Sequence, residues 1–469
     1  MVGTASSGTS SEHLGHVVFI TAAAALGGFL FGYDSAVING AVTGIQKHFR
    51  VGPVEIGVVV AIALLGSAVG AWIAGGIADR WGRTRTMQVA ALLFAVSSVG
   101  QALPFAIWDL AFWRVLAGVG IGMASVIGPA YIAEVAPPAY RGRLGSFQQL
   151  AIVLGIAVSQ LVNYAIAQTA GGNVNNVLFG LQAWQWMLGA CLVPALLYLL
   201  FSTIIPESPR FLIAIGKTEQ ARQVLREVEG DKVDLDSRVT EIYNLLRSER
   251  PPRIRDLRGP ALGLLPIVWI GILLSVFQQF VGINVIFYYS SSLWQSVGIN
   301  QSDSLLISFS TSIINIVGTF IAIALVDRIG RKPLLLIGSA GMAVALATAA
   351  WAFSAGVRTG DAVRLPETQG TVALVAAHVF VLFFALSWGV VVWVLLGEMF
   401  PNRIRAAALS VAASAQWVAN WLITVSFPSL AAWNLSGAYV GYAFFAVLSF
   451  VFVLLKVKET KGRRLEEMG

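Results

Sequence analysis

Twelve apolar runs decide most of what this chain can become. A helix needs roughly 20 consecutive apolar residues to cross the hydrocarbon core of a bilayer. Runs of that kind fall at about 17–40, 54–78, 86–104, 108–132, 145–167, 184–205, 262–292, 303–326, 333–354, 371–399, 406–431 and 437–456. The chain is 57% apolar and only 12% charged, about half the charged share of a soluble domain. Lipid is therefore the expected solvent. In lipid each backbone polar group must find its partner inside the chain, so the runs predict an all-α membrane protein of 12 transmembrane helices.

The runs divide six and six about a polar stretch, 206–260, that holds helix-like segments such as TEQARQVLREVEG (218–230). This gives a tail (1–16), a first six-helix bundle (17–205), a helical linker (206–260), a second bundle (261–456) and a second tail (457–469). Charge sets the orientation. With both termini inside, the 31 lysines and arginines all fall on the cytoplasmic side except Lys47, Arg50, Arg358 and Arg364 outside and Arg114 within a span. That is a strong positive-inside bias. The net charge of +7 reads as topology, and nucleic acid is not an expected partner.

The two halves echo each other. DRWGRTR (79–85) follows the second run and DRIGRKP (327–333) the eighth. EVAPPAYRGRL (134–144) follows the fourth and EMFPNRIRAAAL (398–409) the tenth. This internal repeat is the pattern of transporters whose site lies between two halves. Asp79, Arg83, Arg85, Glu134, Arg141 and Arg143 sit at inner helix ends, and Asp327, Arg331, Glu398 and Arg405 repeat them. With Glu207 of PESPR they are expected to bridge inner helix ends and latch the outward-facing state, breaking when the inner side opens. Taken singly, each charge could serve topology alone.

Two charges lie inside runs: Asp34, in GGFLFGYDSAVING, and Arg114, in WDLAFWRVLAGVGIG. Each is about six residues, roughly 9 Å, from the outer end of its span. A charge in a span is costly and marks a pathway or a pair. Matched depth permits pairing, so Asp34 is the expected proton carrier and Arg114 the group that sets its proton affinity. A static pair locking two helices is the alternative.

Enzyme chemistry finds no support. There is no phosphate loop, GxSxG or HExxH pattern. His13, His16, His48 and His378 form no ligand pattern, and neither a metal nor a cofactor is expected. The single cysteine, Cys191, reads as a small buried hydrophobe. The polar N-terminus has no cleavable signal pattern. The sequons NQS (300–302) and NLS (434–436) are short enough to arise by chance.

The run FQQFVGINVIFYYSSSLW (277–294) carries Gln278, Gln279, Gly282 and Asn284 within seven residues. On a straight helix Gln279 and Asn284 would lie about 140° apart and could not face one ligand. A break at Gly282 would bring them together, so this run is expected to be a discontinuous helix lining a cavity.

GYD (32–34), DRWGR (79–83), RVLAGVGIG (114–122), PESPR (206–210), FQQFVGIN (277–284), DRIGRKP (327–333) and KETKG (458–462) together resemble the sugar porter branch of the major facilitator superfamily over essentially the whole chain. The resemblance implies two six-helix bundles, a cytoplasmic helical segment between them, and alternating access to a monosaccharide by a single chain. It places the sugar among Phe31, Gln149, Gln278, Gln279, Asn284, Tyr288, Asn315, Trp393, Gln416 and Trp417. Amides both donate and accept, and indoles stack on sugar C–H faces, so these types suit hydroxyls around an apolar ring. Asp34 matches the acidic residue of the family's proton symporters, which human facilitative carriers lack. Ile156 and Phe287 resemble glucose carriers more than the bacterial xylose permease.

There are departures. Gly389-Val390 stands where the tenth helix has Gly-Pro, which puts the bending of that helix in doubt. Lys458 replaces a proline, and Ala385 a glutamate of the human carriers. The reading is a proton-coupled monosaccharide symporter, with glucose favoured, in a bacterial cytoplasmic membrane. A facilitator, a carrier of another hexose, pentose or polyol, and a non-transporting sensor stay open.

Overall fold

Three of the expected spans form as two helices each. The structure, a computed structural model, describes residues 11–462 apart from 138–140, 231–232, 249–252, 360–361 and 402–403. The first half contains α1 (Ser11–Phe49), α2 (Pro53–Trp81), α3 (Arg83–Ala102), α4 (Ile107–Val135), α5 (Arg141–Thr169), α6 (Ala183–Gly189) and α7 (Leu192–Ile204). Next come α8 (Pro209–Ala214), α9 (Thr218–Glu229) and α10 (Leu235–Ser248), and a 3₁₀ turn at Ile254–Leu257. The second half contains α11 (Pro266–Phe280), α12 (Ile283–Ser296), α13 (Gln301–Ile329), α14 (Arg331–Ser354), α15 (Glu367–Ala385), α16 (Trp388–Met399) and α17 (Arg405–Lys456). Two short antiparallel hairpins lie in loops: Val177–Leu178 with Leu181–Gln182, and Val357–Thr359 with Ala362–Arg364.

Ten helical segments of the described residues are long and apolar enough to cross a membrane. Two features bring this to the expected twelve. Helix α3 carries Thr84, Thr86, Ser97, Ser98 and Gln101, which dilute its apolar content. Helix α17 has 52 residues, about 78 Å, more than twice the roughly 30 Å core. It changes direction at Asn434 (φ −161°, ψ 94°), whose Oδ1 accepts the Gly437 N–H at 3.0 Å and so starts the second crossing.

Small residues set the packing, because lipid gives helices no hydrophobic reason to associate. Gly66 and Gly70 of α2 face Gly118 and Gly122 of α4. A Cβ at Gly118 would sit 1.9 Å from the Ala63 carbonyl, and one at Gly70 would sit 2.1 Å from that of Val119. The backbones therefore touch. In the linker, α9 buries Ala221, Val224, Leu225 and Val228, the spacing of one helical face.

The bend of the tenth span forms without a proline. It falls at Leu386–Ser387, between α15 and α16, where Ser387 adopts φ −132°, ψ −91° and donates Oγ–H to the Phe383 carbonyl. Gly338 of α14 makes room, since a Cβ there would lie 1.8 Å from Ser387 Oγ. The break thus precedes Gly389-Val390 and depends on the neighbouring helix.

The two halves meet at the ends of α1, α5, α12 and α13 far from the linker. Gln301 donates to Thr43 Oγ1 at 3.1 Å and accepts from the Val174 N–H at 2.7 Å, and Gln168 donates to Ser302 at 2.7 Å.

Candidate functional site

Gly282 decides the geometry of the polar stretch. It ends α11 and starts α12 in a left-handed conformation (φ 86°, ψ 24°), and a Cβ there would lie 2.8 Å from the Tyr442 ring. The helix is broken as the sequence predicts. The turn brings Asn284 back over Gln279, and Asn284 Nδ2 donates to Gln279 Oε1 at 2.5 Å.

An amide cluster grows from this pair. Gln279 donates to Gln278 Oε1 at 3.4 Å, and Gln416 of α17 donates to the same oxygen. Gln278 Nε2 donates to the Trp388 carbonyl at 2.8 Å, tying the cluster to the start of α16. Asn284 also donates to Asn420 Oδ1 at 2.9 Å, where Thr424 Oγ1 donates at 3.0 Å. Tyr288, buried one turn above Asn284, is hydrogen-bonded to Asn420 as well. Asn420 is absent from the sequence-based candidates. AQWVAN shows it four residues after Gln416, a spacing that keeps two residues on one helix face.

The first half contributes an aromatic edge. Phe31 of α1 meets Trp417 of α17, ring centroids 6.4 Å apart, across the two halves. Phe287 offers its carbonyl to Gln160 at 3.5 Å. Ile156 and Asn315 are buried, but no side-chain hydrogen bond joins Asn315 to the cluster. Gln149 is half-buried and makes no hydrogen bond among the described residues. Trp393 stands apart: its residue is 42% exposed, one turn beyond the buried Trp388, whose Nε1 donates to Ser339 at 2.8 Å.

Asp34 and Arg114 are 1% and 2% exposed, and they form no ion pair. The salt bridge that equal depth permits does not form, because each side chain bonds a different neighbour, although the two charges lie near enough to act on each other electrostatically. Arg114 Nη2 donates to the Val60 carbonyl of α2 at 3.1 Å, leaving Nε and Nη1 without a partner. Asp34 meets the Cys191 thiol, and its Oδ2 has no partner. Cys191 sits at the break between α6 and α7 and also reaches Ser98. It is buried, but it is more than an apolar filler. The sequence carries no sign of this, because the contact depends on where α6 ends.

The linker-facing end holds two copies of one charge set. Arg83 donates to both oxygens of Glu134 at 2.9 and 2.8 Å, and Asp79 lies 3.9 Å away. Arg331 does the same with Glu398 at 3.0 and 2.6 Å, with Asp327 at 3.2 Å. Glu207 accepts the Arg83 N–H at 3.0 Å, and Ser208 donates to Glu134 at 2.5 Å. In the second half Glu459 accepts the Arg331 N–H at 3.1 Å, and Thr460 donates to Glu398 at 2.6 Å. The one sequence sign that Glu459 and Thr460 belong to this set is that KET (458–460) repeats PES (206–208) after the last span of each half. Burial of the Glu459 carboxyl opposes its charge. The backbone N–H groups of Lys461, Arg331, Lys332 and Thr460 outweigh this and hold it below the usual carboxylate range.

Among the described residues each set stays within its own half and the segment that follows it. Arg85 is exposed and has no partner among the described residues. The side chains of Arg141, Arg143 and Arg405 lie outside the described residues.

Twelve crossings, a duplicated charge motif at the linker end and an amide cluster beside broken helices define a membrane carrier of the major facilitator fold. The chain belongs to the Sugar (and other) transporter family, whose model matches residues 20–469. It is 54% identical to the glucose transport protein of Synechocystis over 98% of both chains. It is 37% identical to the D-xylose-proton symporter of Escherichia coli K12 over 97% of this chain and 95% of that one. The inward-open structure of the Escherichia coli xylose transporter superposes with a TM-score of 0.82 at 36% identity, covering 96% of this chain and 99% of that one.

Proposed function

We propose that the protein carries a monosaccharide, glucose in preference, into the cell together with a proton by alternating access. It would reside in a bacterial cytoplasmic membrane with both termini and the linker on the cytoplasmic side, as the distribution of Lys and Arg favours. The far side is then extracellular. One observation carries the reading. Helix α1 presents Phe31 to Trp417 across the halves and, three residues on, buries the Asp34 carboxylate with one oxygen unpartnered.

In this reading Gln278, Gln279, Asn284, Gln416 and Asn420 exchange their mutual hydrogen bonds for bonds to sugar hydroxyls. Gln149, with no hydrogen bond of its own among the described residues, completes the site from the first half. Buried amides that already satisfy one another hold the site ready without charge, so binding stays weak enough for release. Ile156 and Phe287 favour a hexose by resemblance. A relative is named a D-xylose-proton symporter, so pentoses are the competing substrates. The duplicated linker-end sets serve as the cytoplasmic gate, and a single chain suffices.

The test is uptake of labelled glucose by the purified protein in sealed liposomes. An inward proton gradient should speed it and drive accumulation, with unlabelled sugars competing according to preference. Uptake indifferent to the gradient would remove the coupling. Asp34→Asn should keep glucose–glucose exchange and lose accumulation; accumulation by that variant would clear Asp34 of the proton role.

A further inference from the structure

Asn39, five residues beyond Asp34 on α1, is 1% exposed and uses its whole carboxamide across four helices. Its Nδ2 donates to Gln160 Oε1 of α5 and to Ser308 Oγ of α13, both at 3.0 Å. Its Oδ1 accepts the backbone N–H of Ser291 in α12 at 2.8 Å. Gln160 in turn donates to the Phe287 carbonyl at 3.5 Å. The Ser291 N–H and the Phe287 carbonyl are donor and acceptor of one i→i−4 helical step, so Asn39 and Gln160 grip the backbone of α12.

We infer that Asn39 is a positioning residue that ties α12, the half-helix over the sugar site, to α1, the helix bearing the Asp34 carboxylate, so that the far gate and the proton site move as one. This rests on the proton-coupled reading above. Helix α12 pivots at Gly282 and carries Asn284 and Tyr288, so whatever fixes its position fixes the cover of the site. Asn39 lies about 7.5 Å along α1 from Asp34, too near for one to shift without the other. The grip takes hold of backbone, so no side chain of α12 can replace it. Of these contacts, the Asn39 bonds to Ser291 and Ser308 and the Gln160 bond to the Phe287 carbonyl cross between halves and must break whenever the far side opens. Removing the carboxamide leaves Gln160 Oε1 and the Ser291 N–H without that partner in a buried place, which favours the open gate.

The experiment uses the full chain in sealed liposomes, with Asn39→Ala in a Gln295→Cys background. Gln295 lines a polar cavity of about 360 Å³ at the far side with Thr43 and Lys47, one turn above Ser291. The native Cys191 is buried, so a membrane-impermeant maleimide reads the new thiol. Asn39→Ala should raise the labelling rate about tenfold, the response to a gate weakened by one buried hydrogen bond. It should keep glucose exchange and lower the proton-driven accumulation ratio at least twofold. Labelling or accumulation unchanged would overturn the inference. If Asn39→Ala fails to fold, Ser308→Ala removes one cross-half bond and should shift both readouts the same way, to a smaller extent. Native protein that shows no proton-driven accumulation would refute the proposed function instead, and the labelling arm would still decide the grip on α12.

Discussion

At the residue scale, the amides of α11 and α12 answer why polarity stands in an apolar run. Gln278 and Gln279 hydrogen-bond one another, Gln416 and Asn284, so none of these four amides is left bare in the apolar interior. Gln279→Ala should weaken glucose binding by about 1–3 kcal/mol, roughly 5- to 150-fold in Kd, because Asn284 and a sugar hydroxyl lose a partner. Equilibrium binding to protein in detergent checks this. Glu459 gives a pH prediction. Its folded value is depressed, so its contribution to stability is present above the unfolded value of about 4.3 and is lost as pH falls through the lower folded value. Thermal unfolding should show Glu459→Gln less stable than the native chain at pH 7, with the gap closing on acidification below about pH 4.

At the element scale, broken helices recur where the site and its gates lie. The breaks fall at Ala190–Cys191, Gly282 and Leu386–Ser387, and each has its own cause. Gly282 alone has positive φ among them, and the Tyr442 ring fills the space a side chain would need. Gly282→Ala should cost at least the roughly 1–2 kcal/mol of a left-handed Cβ, with a further cost from displacing Tyr442. A lowered melting temperature together with weaker glucose binding is the expected result. Gly282→Asn, which tolerates left-handed backbone better, should lose less than its bulk suggests. The bend before Trp388 shows that a missing proline need not straighten a helix: Ser387 and Gly338 produce it together.

At the scale of the whole molecule, the duplicated charge sets behave as two separate fasteners. Arg83–Glu134 joins α3 to α4, Arg331–Glu398 joins α14 to α16, and among the described residues neither set reaches the other half. Glu134→Gln and Glu398→Gln should each destabilise by about 1.5–3 kcal/mol, the scale of hydrogen bonds to charged groups. The double variant should equal their sum to within about 0.5 kcal/mol, as for distant sites. Thermal unfolding of the three variants tests this. A larger deviation would mean that the ends of the two halves are coupled through the linker.

Much of this was legible in the sequence because membrane proteins are read through length and polarity. Twelve runs of spanning length dictate helices, the repeated DRxGR stretches dictate two related halves, and a glycine among amides marks a break. What stayed hidden depends on which side chains meet. Asp34 and Arg114 have the depth to pair and act on each other electrostatically, but they bond to Cys191 and Val60, since rotation about a helix axis follows from packing, which no run length records. Asn420, Glu459 and the grip of Asn39 on the α12 backbone likewise exist only once separate helices are brought together. The sequence by itself determined the solvent, the crossings and the duplication. The tertiary structure alone decided which buried polar groups find partners and which, like Asp34 Oδ2 and Arg114 Nε, do not, because packing decides which side chains meet.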